Sequence, residues 1–240
     1  MNAALMQDTE LPAPPRLNLQ FTYPTLDRQT RDDGVRHYVS PDGQALPSVT
    51  TILGGTADKT HLKLWEARIG TKKANEIRDE AAALGTMMHE HLECYLEGRE
   101  RPRGNNIIRQ MSRRMSNVII NEGLSQVDEV WGVETPLYFP GLYAGTSDLI
   151  GLHKGTPAIF DFKNARKMRT MDMIGDYGCQ GAAYALAHNC LFDTNIRKVV
   201  IFMCARDLQF QTFVWEGDEF NKSADEWQRR IIEYETKAAA

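Results

Sequence analysis

Hydrophobic and polar positions alternate over residues 145–167, and the alternation predicts two short strands joined by a turn. Successive side chains of a strand point to opposite faces. Asp161 and Lys163 are therefore expected on one face of the second strand, while Phe160 and Phe162 point the other way into a core. Two charged side chains thus interrupt an apolar pattern and need a partner.

The same periodicities predict further helices and strands on both sides of this hairpin. In order, they are a small hairpin around Pro41-Asp42-Gly43 over residues 35–46, a helix over 78–97, a strand over 129–139, the strand pair with its turn at 153–157, a helix over 171–189, strands over 198–204 and 209–215, and a helix over 218–237. This order predicts an α/β protein in which helices flank a mixed central sheet.

The composition is typical of a globular chain with one sizeable core, since the 240 residues are 42% hydrophobic and 25% charged. The longest apolar run, residues 199–205, is too short to cross a bilayer, so a cytoplasmic location and no membrane partner are expected. Six of the ten prolines precede residue 48. They predict a flexible tail over residues 1–20, followed by a single domain over residues 21–240.

A net charge of −4 at pH 7 argues against a protein that coats nucleic acid through bulk charge, so any such contact is expected to be local. Residues 99–114 form a basic cluster that includes Arg113, and a solvated helix face is an equally good interpretation. The four cysteines show no zinc-ligand spacing, which predicts reduced thiols. No GxxxxGK[ST] loop occurs, so no use of ATP is expected.

Asp148, on the first strand of the hairpin, is expected beside Asp161 and Lys163. A charge on an apolar strand is costly unless it is paired or holds a metal, and an ion pair that only fixes the sheet is one interpretation. The second carboxylate favours a site for Mg²⁺ or Mn²⁺, to which the backbone carbonyl of Phe162 adds an oxygen. Such a site, with Lys163 orienting a water, is suited to phosphodiester hydrolysis.

Polar residues on two predicted helices and one strand are further candidates. Alone, His89 is more typical of a helix histidine than of a metal ligand. Gly85, one turn before it, costs a helix interior roughly 0.5–1 kcal/mol relative to Ala, which predicts the close approach of another group. A cross-strand ion pair is an equal alternative for Glu134, and ordinary helix polarity is the alternative for Gln180 and Tyr184, which lie one turn apart.

Hydroxyl and basic residues follow the N-terminal hairpin. Capping of a helix is the first interpretation of Ser48 and Thr50. Hydroxyls and free N–H groups at a helix start also bind phosphate, so the segment, with Thr51, is a candidate grip for a nucleic acid strand. A basic helical stretch with Trp65 and Arg68 comes next.

These residues belong to five motifs that occur in a fixed order. The motifs are PSVTTIL from Pro47, GTxxHxxLE from Gly85, GTSD ending at Asp148, DFK from Asp161 to Lys163, and QxxxY from Gln180 to Tyr184. At these positions the chain resembles the RecB-type branch of the PD-(D/E)XK nuclease superfamily. Within that branch it is similar to the mitochondrial genome maintenance exonucleases and their bacteriophage-encoded relatives.

The resemblance implies the αβββαβ core of a restriction-endonuclease-like fold. It also implies an N-terminal DNA-gripping extension over residues 21–80 and a catalytic core over residues 81–240. The implied activity is that of a metal-dependent DNA exonuclease that acts on single-stranded ends with Mg²⁺ or Mn²⁺.

The resemblance also assigns roles to residues outside the hairpin. It places His89 at the metal with the two aspartates, and it lets Glu134 complete the acidic cluster. Gln180 and Tyr184 would hold the substrate or order the metal shell. Related CRISPR-associated exonucleases carry an iron–sulfur cluster on a cysteine pattern that is absent here, so no such cluster is expected.

Other functions stay open at this point. Enzymes of the same fold include recombination exonucleases that resect duplex DNA and endonucleases, and a catalytically idle DNA-binding module is an alternative of another class. The lack of a presequence favours a phage or bacterial protein of DNA replication, recombination or repair, in the host cytoplasm if phage-encoded. DNA and the proteins of those processes are the expected partners.

Overall fold

The structure is a computed structural model that describes residues 11–30 and 36–239. The strands are β1 (Arg16–Leu17), β2 (Asp27–Thr30), β3 (Arg36–Val39), β4 (Ala45–Pro47), β5 (Val127–Phe139), β6 (Tyr143–His153), β7 (Thr156–Ala165), β8 (Lys198–Ala205) and β9 (Phe210–Glu216). The α-helices are α1 (Val49–Thr56), α2 (Thr60–Ile69), α3 (Thr71–Leu96), α4 (Ile107–Val118), α5 (Gly175–Phe192) and α6 (Asp218–Ala239). Residues 1–10 of the predicted flexible tail and Val35 of the predicted hairpin lie outside the described residues.

Six strands form a central sheet in the order β1-β5-β6-β7-β8-β9. β5, β6 and β7 are an antiparallel meander, and α5 then crosses over so that β8 pairs with β7 in parallel. β9 returns antiparallel to β8. Arg16 and Leu17, which belong to the predicted tail, add a short parallel edge to β5. The predicted α/β class, with helices flanking a mixed central sheet, is confirmed.

The sheet is buried on both faces. Its inner strands carry apolar side chains at successive positions, and successive side chains point to opposite faces. On β8, Val199 and Ile201 pack with α5 and α6, whereas Val200 and Phe202 pack with α3 on the other face. Phe160 lies in the α3 core, as its position on the strand predicted. None of the helices in the described ranges is both long and apolar enough to cross a membrane.

A small second sheet, β2-β3-β4, lies beside the end of β6. Its β3–β4 hairpin turns at Pro41-Asp42-Gly43 as predicted, with Gly43 in the left-handed region at φ 85°. The strand β2, which pairs antiparallel with β3, was not predicted. Ser48 follows β4 directly and bridges to Ala144 of β6, so the small sheet and α1 are both attached to the central sheet.

The helix predicted over residues 78–97 begins earlier, at Thr71. Gly70, at φ 84°, separates it from α2, and the basic stretch of the sequence is therefore divided between two helices. The helix predicted from residue 171 begins at Gly175, after a single 3₁₀ turn over Met171–Met173. Part of the basic cluster over residues 99–114 forms the start of α4, whose side chains pack on α3.

Candidate functional site

β6 and β7 separate at the point where their polar residues lie. Their regular pairing extends from the turn to Leu149 and Phe160. Beyond it, the Asp148 carboxylate replaces a backbone acceptor, and Phe162 N donates to Asp148 Oδ2 at 2.8 Å. The side chain thus satisfies a backbone donor that the sheet leaves unpaired, and the strands can diverge without an orphaned buried amide.

A cleft of about 580 Å³ lies at this opening. α3 approaches it from one face of the sheet and α5 from the other. The predicted site residues that line it are Ser48, Thr50, His89, Glu134, Asp148, Asp161, Lys163, Gln180 and Tyr184. Residues far apart in the sequence are therefore brought together in one cavity.

His89 is held with one ring nitrogen on a carbonyl and the other towards two carboxylates. Since a carbonyl can only accept, Nε2 donates to Phe162 O at 2.8 Å. Nδ1 lies 3.4 Å from Asp148 Oδ2 and 3.9 Å from Glu134 Oε1. One ligand atom from each of His89, Glu134 and Asp148 lies within 4.8 Å of the others.

His89 and the two carboxylates shift one another's pKa values. Burial alone would lower the pKa of His89, but the nearby Asp148 carboxylate outweighs it, and the pKa lies well above 6.5. Burial opposes ionisation of Asp148 too, yet His89 and the Phe162 N–H bring its pKa below the ordinary value. Burial raises the pKa of Glu134, and the Asp148 charge adds to that effect. Without a cation, the site therefore favours a bound proton.

Asp161 is fixed from two sides next to this group. Its Oδ2 forms an ion pair with Lys163 Nζ, and its Oδ1 accepts a hydrogen bond from Gln180 Nε2 at 3.2 Å. Burial raises the pKa of Asp161 to about 6, although the Lys163 charge opposes the rise. Lys163 Nζ also lies 4.9 Å from the centre of the Tyr177 ring, a cation–π contact that restricts its ammonium group.

The donor set fits a divalent cation. Metal-bound histidines typically donate their other ring N–H to a carbonyl, as His89 does to Phe162. The remaining nitrogen then offers a lone pair next to two carboxylate oxygens, which is a ligand set for Mn²⁺ or Mg²⁺. The Phe162 carbonyl accepts the His89 hydrogen bond with one of its two lone pairs, and its role as a metal ligand stays a prediction.

The backbone of Glu134 is held in the left-handed region, at φ 46°. A non-glycine residue in this conformation costs of order 1–3 kcal/mol, and such residues are concentrated at functional sites. Here the conformation occurs opposite Asp148, between the register pairs Val133↔Leu149 and Thr135↔Ser147. Glu134 lines the cleft, and its ion-pair contact is with His89 on α3 rather than with a cation on the neighbouring strand.

Gly85 permits the close approach that its place in a helix predicted. A Cβ at this position would lie 3.2 Å from Asn164 Oδ1. Asn164 follows Lys163 on β7, and its Nδ2 donates to Ala81 O of α3 at 3.2 Å. This contact fixes α3 against β7 one turn before His89, so the histidine is positioned relative to the carboxylates.

The hydroxyl segment has both structural and exposed groups. Ser48 is the N-cap of α1, and its Oγ accepts from Thr51 N at 3.0 Å. Thr51 Oγ1 donates to Arg36 O at 3.1 Å and does not line the cleft. Thr50 is exposed, lies 3.0 Å from Ser48 Oγ and faces the cleft. Helix capping therefore accounts for the role of Ser48, whereas the Thr50 side chain is placed to contact a ligand in the cleft.

Three predicted DNA-binding residues lie outside the cleft. Trp65 and Arg68 are on α2, a helix that buries none of its residues. Arg113 is on α4, near His91, whose pKa is lowered by burial and then by the charges of Arg101 and Arg113. These three residues are not brought together with the acidic cluster.

Further residues line the cleft besides the predicted site residues. Thr86 and Glu93 come from α3, share the helical face of His89 and belong to the GTxxHxxLE motif. Arg28, Arg36 and Tyr38 come from the small sheet and were missed by sequence reasoning. For these three no local pattern was available, because their place depends on how the small sheet docks.

The contact between Gly145 and Tyr184 gives a testable prediction. A Cβ on Gly145 would lie 2.8 Å from Tyr184 Cε1, and Tyr184 is buried. Gly145→Ala is expected to lower the free energy of unfolding by about 1–3 kcal/mol through overpacking. The matched control is Gly54→Ala in α1, where nothing lies within 4 Å of the new Cβ and a gain of about 0.5–1 kcal/mol is expected. Urea denaturation measures both, and equal effects would refute the contact.

Neither a scan against models of known protein families nor a search of curated proteins finds a significant match to this chain.

Proposed function

We propose that the chain is a metal-dependent nuclease that hydrolyses phosphodiester bonds in DNA. One observation carries this proposal: His89, Glu134 and Asp148 converge within 4.8 Å beside the buried Asp161–Lys163 pair, in one open cleft. A set of buried charges is costly to a fold, and a site that binds a cation offsets that cost. The order of α3, β5–β7, α5 and β8, with α4 inserted after α3, supports the proposal, because the motif resemblance implies an αβββαβ core.

A divalent cation in this site would polarise a phosphoryl oxygen and lower the pKa of a bound water. His89, Glu134 and Asp148 are the residues that would hold it. Asp161, predicted as a further ligand, is bound by Lys163 and Gln180 beside them. Asp161 keeps the Lys163 ammonium in the cleft through their ion pair. Lys163 would orient the attacking water, or offset the charge that develops on the phosphate.

Residues of α5 and α1 would position the substrate. Gln180 donates to Asp161 Oδ1 and also lines the cleft, so a change of Gln180 affects both the carboxylate and the space next to it. Thr50 presents a hydroxyl at the start of α1, where a phosphate oxygen is favoured. These contacts would hold the strand without reading its sequence.

Exonuclease action on single-stranded ends is our proposal for the substrate, and it is supported by the five motifs and their order. Resection of duplex DNA and endonuclease action use the same chemistry and differ only in how DNA enters the cleft. A DNA-binding module without activity would have no use for both the His89 group and the Asp161–Lys163 pair. The activity would serve DNA replication, recombination or repair.

Digestion of end-labelled linear and closed-circular single-stranded DNA tests the proposal. With Mg²⁺ or Mn²⁺ we expect the linear strands to shorten, while EDTA or Asp161→Ala abolishes the products. Duplex forms of both substrates run in parallel. Cleavage of circles would indicate an endonuclease, and stronger cleavage of duplex ends would indicate a resecting enzyme. If DNA is bound but stays intact with either metal, the nuclease proposal is wrong.

A further inference from the structure

Two arginines of the small sheet line the same cleft as the acidic group. Arg28 on β2 pairs with Tyr38 on β3, and Arg36 lies two residues before Tyr38. Directly paired residues and alternate residues of a strand share a face, so the three side chains lie on one side of the small sheet. Tyr38 lines the cleft as well, so this face forms one wall of it.

Neither guanidinium has an anionic partner among residues 11–30 and 36–239. Other arginines of the chain do: Arg206 pairs with Glu80, and Arg230 pairs with Asp176. Arg36 is half-buried and Arg28 is exposed, and both line a cavity of about 580 Å³. Two cations on one wall that have no anionic partner within these ranges are suited to bind an anion, because guanidinium groups form charge-assisted, bidentate hydrogen bonds with phosphate oxygens.

The wall is braced against the rest of the protein. Arg36 O accepts hydrogen bonds from Ser48 N and Thr51 Oγ1, both at 3.1 Å. The Tyr38 hydroxyl lies 3.3 Å from Thr146 Oγ1 on β6. These contacts connect the small sheet to α1 and to the strand that carries Asp148. A ligand held by this wall would therefore have a defined position relative to the acidic group.

We infer that Arg28 and Arg36 form a phosphate-binding subsite for a DNA backbone phosphate next to the one that is cleaved. The inference rests on the proposed function and names two substrate-binding residues that the motifs do not contain. The cleft has one acidic wall and one basic wall, and a strand whose scissile phosphate lies at a cation on the acidic wall would bring a neighbouring phosphate to the basic wall. The subsite recognises the backbone, so it should act on all sequences equally.

The test measures binding of a fluorescently labelled oligothymidine by anisotropy, with Ca²⁺ in place of Mg²⁺, over a series of salt concentrations. For Arg28→Gln/Arg36→Gln we expect roughly tenfold or greater weakening at low salt. The slope of log affinity against log salt should also fall by about 0.7 for the lost phosphate contact. The matched control carries the same change at two other arginines, Arg197→Gln just before β8 and Arg16→Gln on β1, because both side chains are exposed outside the cleft.

A methylphosphonate series locates the subsite. Each oligonucleotide carries one neutral linkage at a different position, and the wild type should lose affinity at one position beside the scissile phosphate. The double variant should be insensitive at that same position. If the double variant keeps the affinity and the salt slope of the control, or stays sensitive at every position that affects the wild type, the subsite does not exist.

Cleavage by the wild type, measured in parallel, separates this inference from the proposed nuclease activity. If the wild type cuts DNA but the arginine variant binds like the control, the nuclease stands and the subsite falls. If the wild type binds DNA without cutting it, and the arginine variant shows the weaker binding and the smaller salt slope, the subsite stands as part of a DNA-binding protein. If the wild type does not bind DNA, both are wrong.

Discussion

Replacement of Lys163 with Ala is expected to reduce the rate of DNA cleavage by about 10²- to 10³-fold while the protein stays folded and binds DNA. In the structure, Lys163 is largely buried in the cleft and is held between the Asp161 carboxylate and the Tyr177 ring. An ammonium group placed in this way stabilises charge that develops in the transition state more than it stabilises bound DNA. The loss should therefore appear mainly in kcat rather than in KM.

The fold should tolerate this change because Asp161 can become neutral. Burial already raises the pKa of Asp161 to about 6, and the Lys163 charge is what opposes the rise. Without Lys163 the pKa should rise further, and Asp161 should take up a proton near neutral pH. Gln180 still donates a hydrogen bond to its other oxygen. The variant should thus avoid an unpaired buried charge.

Lys198→Ala is the matched control. Lys198 is also a buried lysine on an inner strand, and its Nζ lies 3.0 Å from Glu216 Oε2, far from the cleft residues along β8 and β9. Its loss should affect the melting temperature without affecting cleavage. Single-turnover cleavage, DNA anisotropy and thermal melting of both variants decide the case. Full activity of Lys163→Ala would remove this residue from the mechanism.

Local strand geometry explains why part of the site could be predicted. Asp161 and Lys163 are two residues apart on β7, so a shared face followed from strand periodicity alone. The place of Asp148 needed only the short hairpin between β6 and β7. What periodicity could not provide is the separation of the two strands, in which the Asp148 side chain takes the hydrogen bond of Phe162 N.

The more distant parts of the site depend on tertiary packing. His89 and Gln180 lie on helices that approach from opposite faces of the sheet, and only the motif order connected them to the hairpin. Arg28 and Arg36 had no such motif, and they enter the cleft because the small sheet docks on β6. Trp65 lies outside the cleft on α2, a separate helix that ends at the Gly70 turn before α3 begins.

The second large expected effect concerns metal binding to the His89 group. Addition of Mn²⁺ should raise the melting temperature of the wild type. At a concentration 100 times the Kd, a ligand that binds only the folded state adds about 2.7 kcal/mol. For a chain of this size that corresponds to a shift of about 5–10 °C. Asp148→Asn, which removes a carboxylate from the centre of the group, should abolish the shift.

Glu134→Gln separates metal binding from the stability of the fold. Burial and the Asp148 charge raise the pKa of Glu134, so its ionised form is disfavoured in the folded state without a metal. The neutral glutamine should therefore raise the melting temperature in EDTA while it reduces the Mn²⁺ shift. Glu235→Gln, an exposed change on α6, should alter neither value.

The pH dependence has opposite signs with and without the metal. The pKa of His89 is raised well above 6.5, and that of Asp161 is raised to about 6, so these two groups bind protons more tightly in the folded metal-free protein than in the unfolded chain. The stability gained from these protons is present at low pH and is lost as the pH rises through the folded pKa values. Their contribution to the melting temperature in EDTA should therefore decrease from pH 6 to pH 8, while burial lowers the pKa of His91, His153 and His188 to about 4 and gives these three a contribution of the opposite sign.

Mn²⁺ competes with the same protons, so its effect should grow over the same interval. At pH 6 the cation must displace the His89 proton, whereas at pH 8 fewer protons oppose it. Differential scanning fluorimetry with Mn²⁺ and with EDTA at each pH measures both trends. A Mn²⁺ shift that is constant from pH 6 to pH 8, or that persists in Asp148→Asn, would mean that the cation binds elsewhere. The acidic wall of the cleft would then be a proton-binding cluster rather than a metal site.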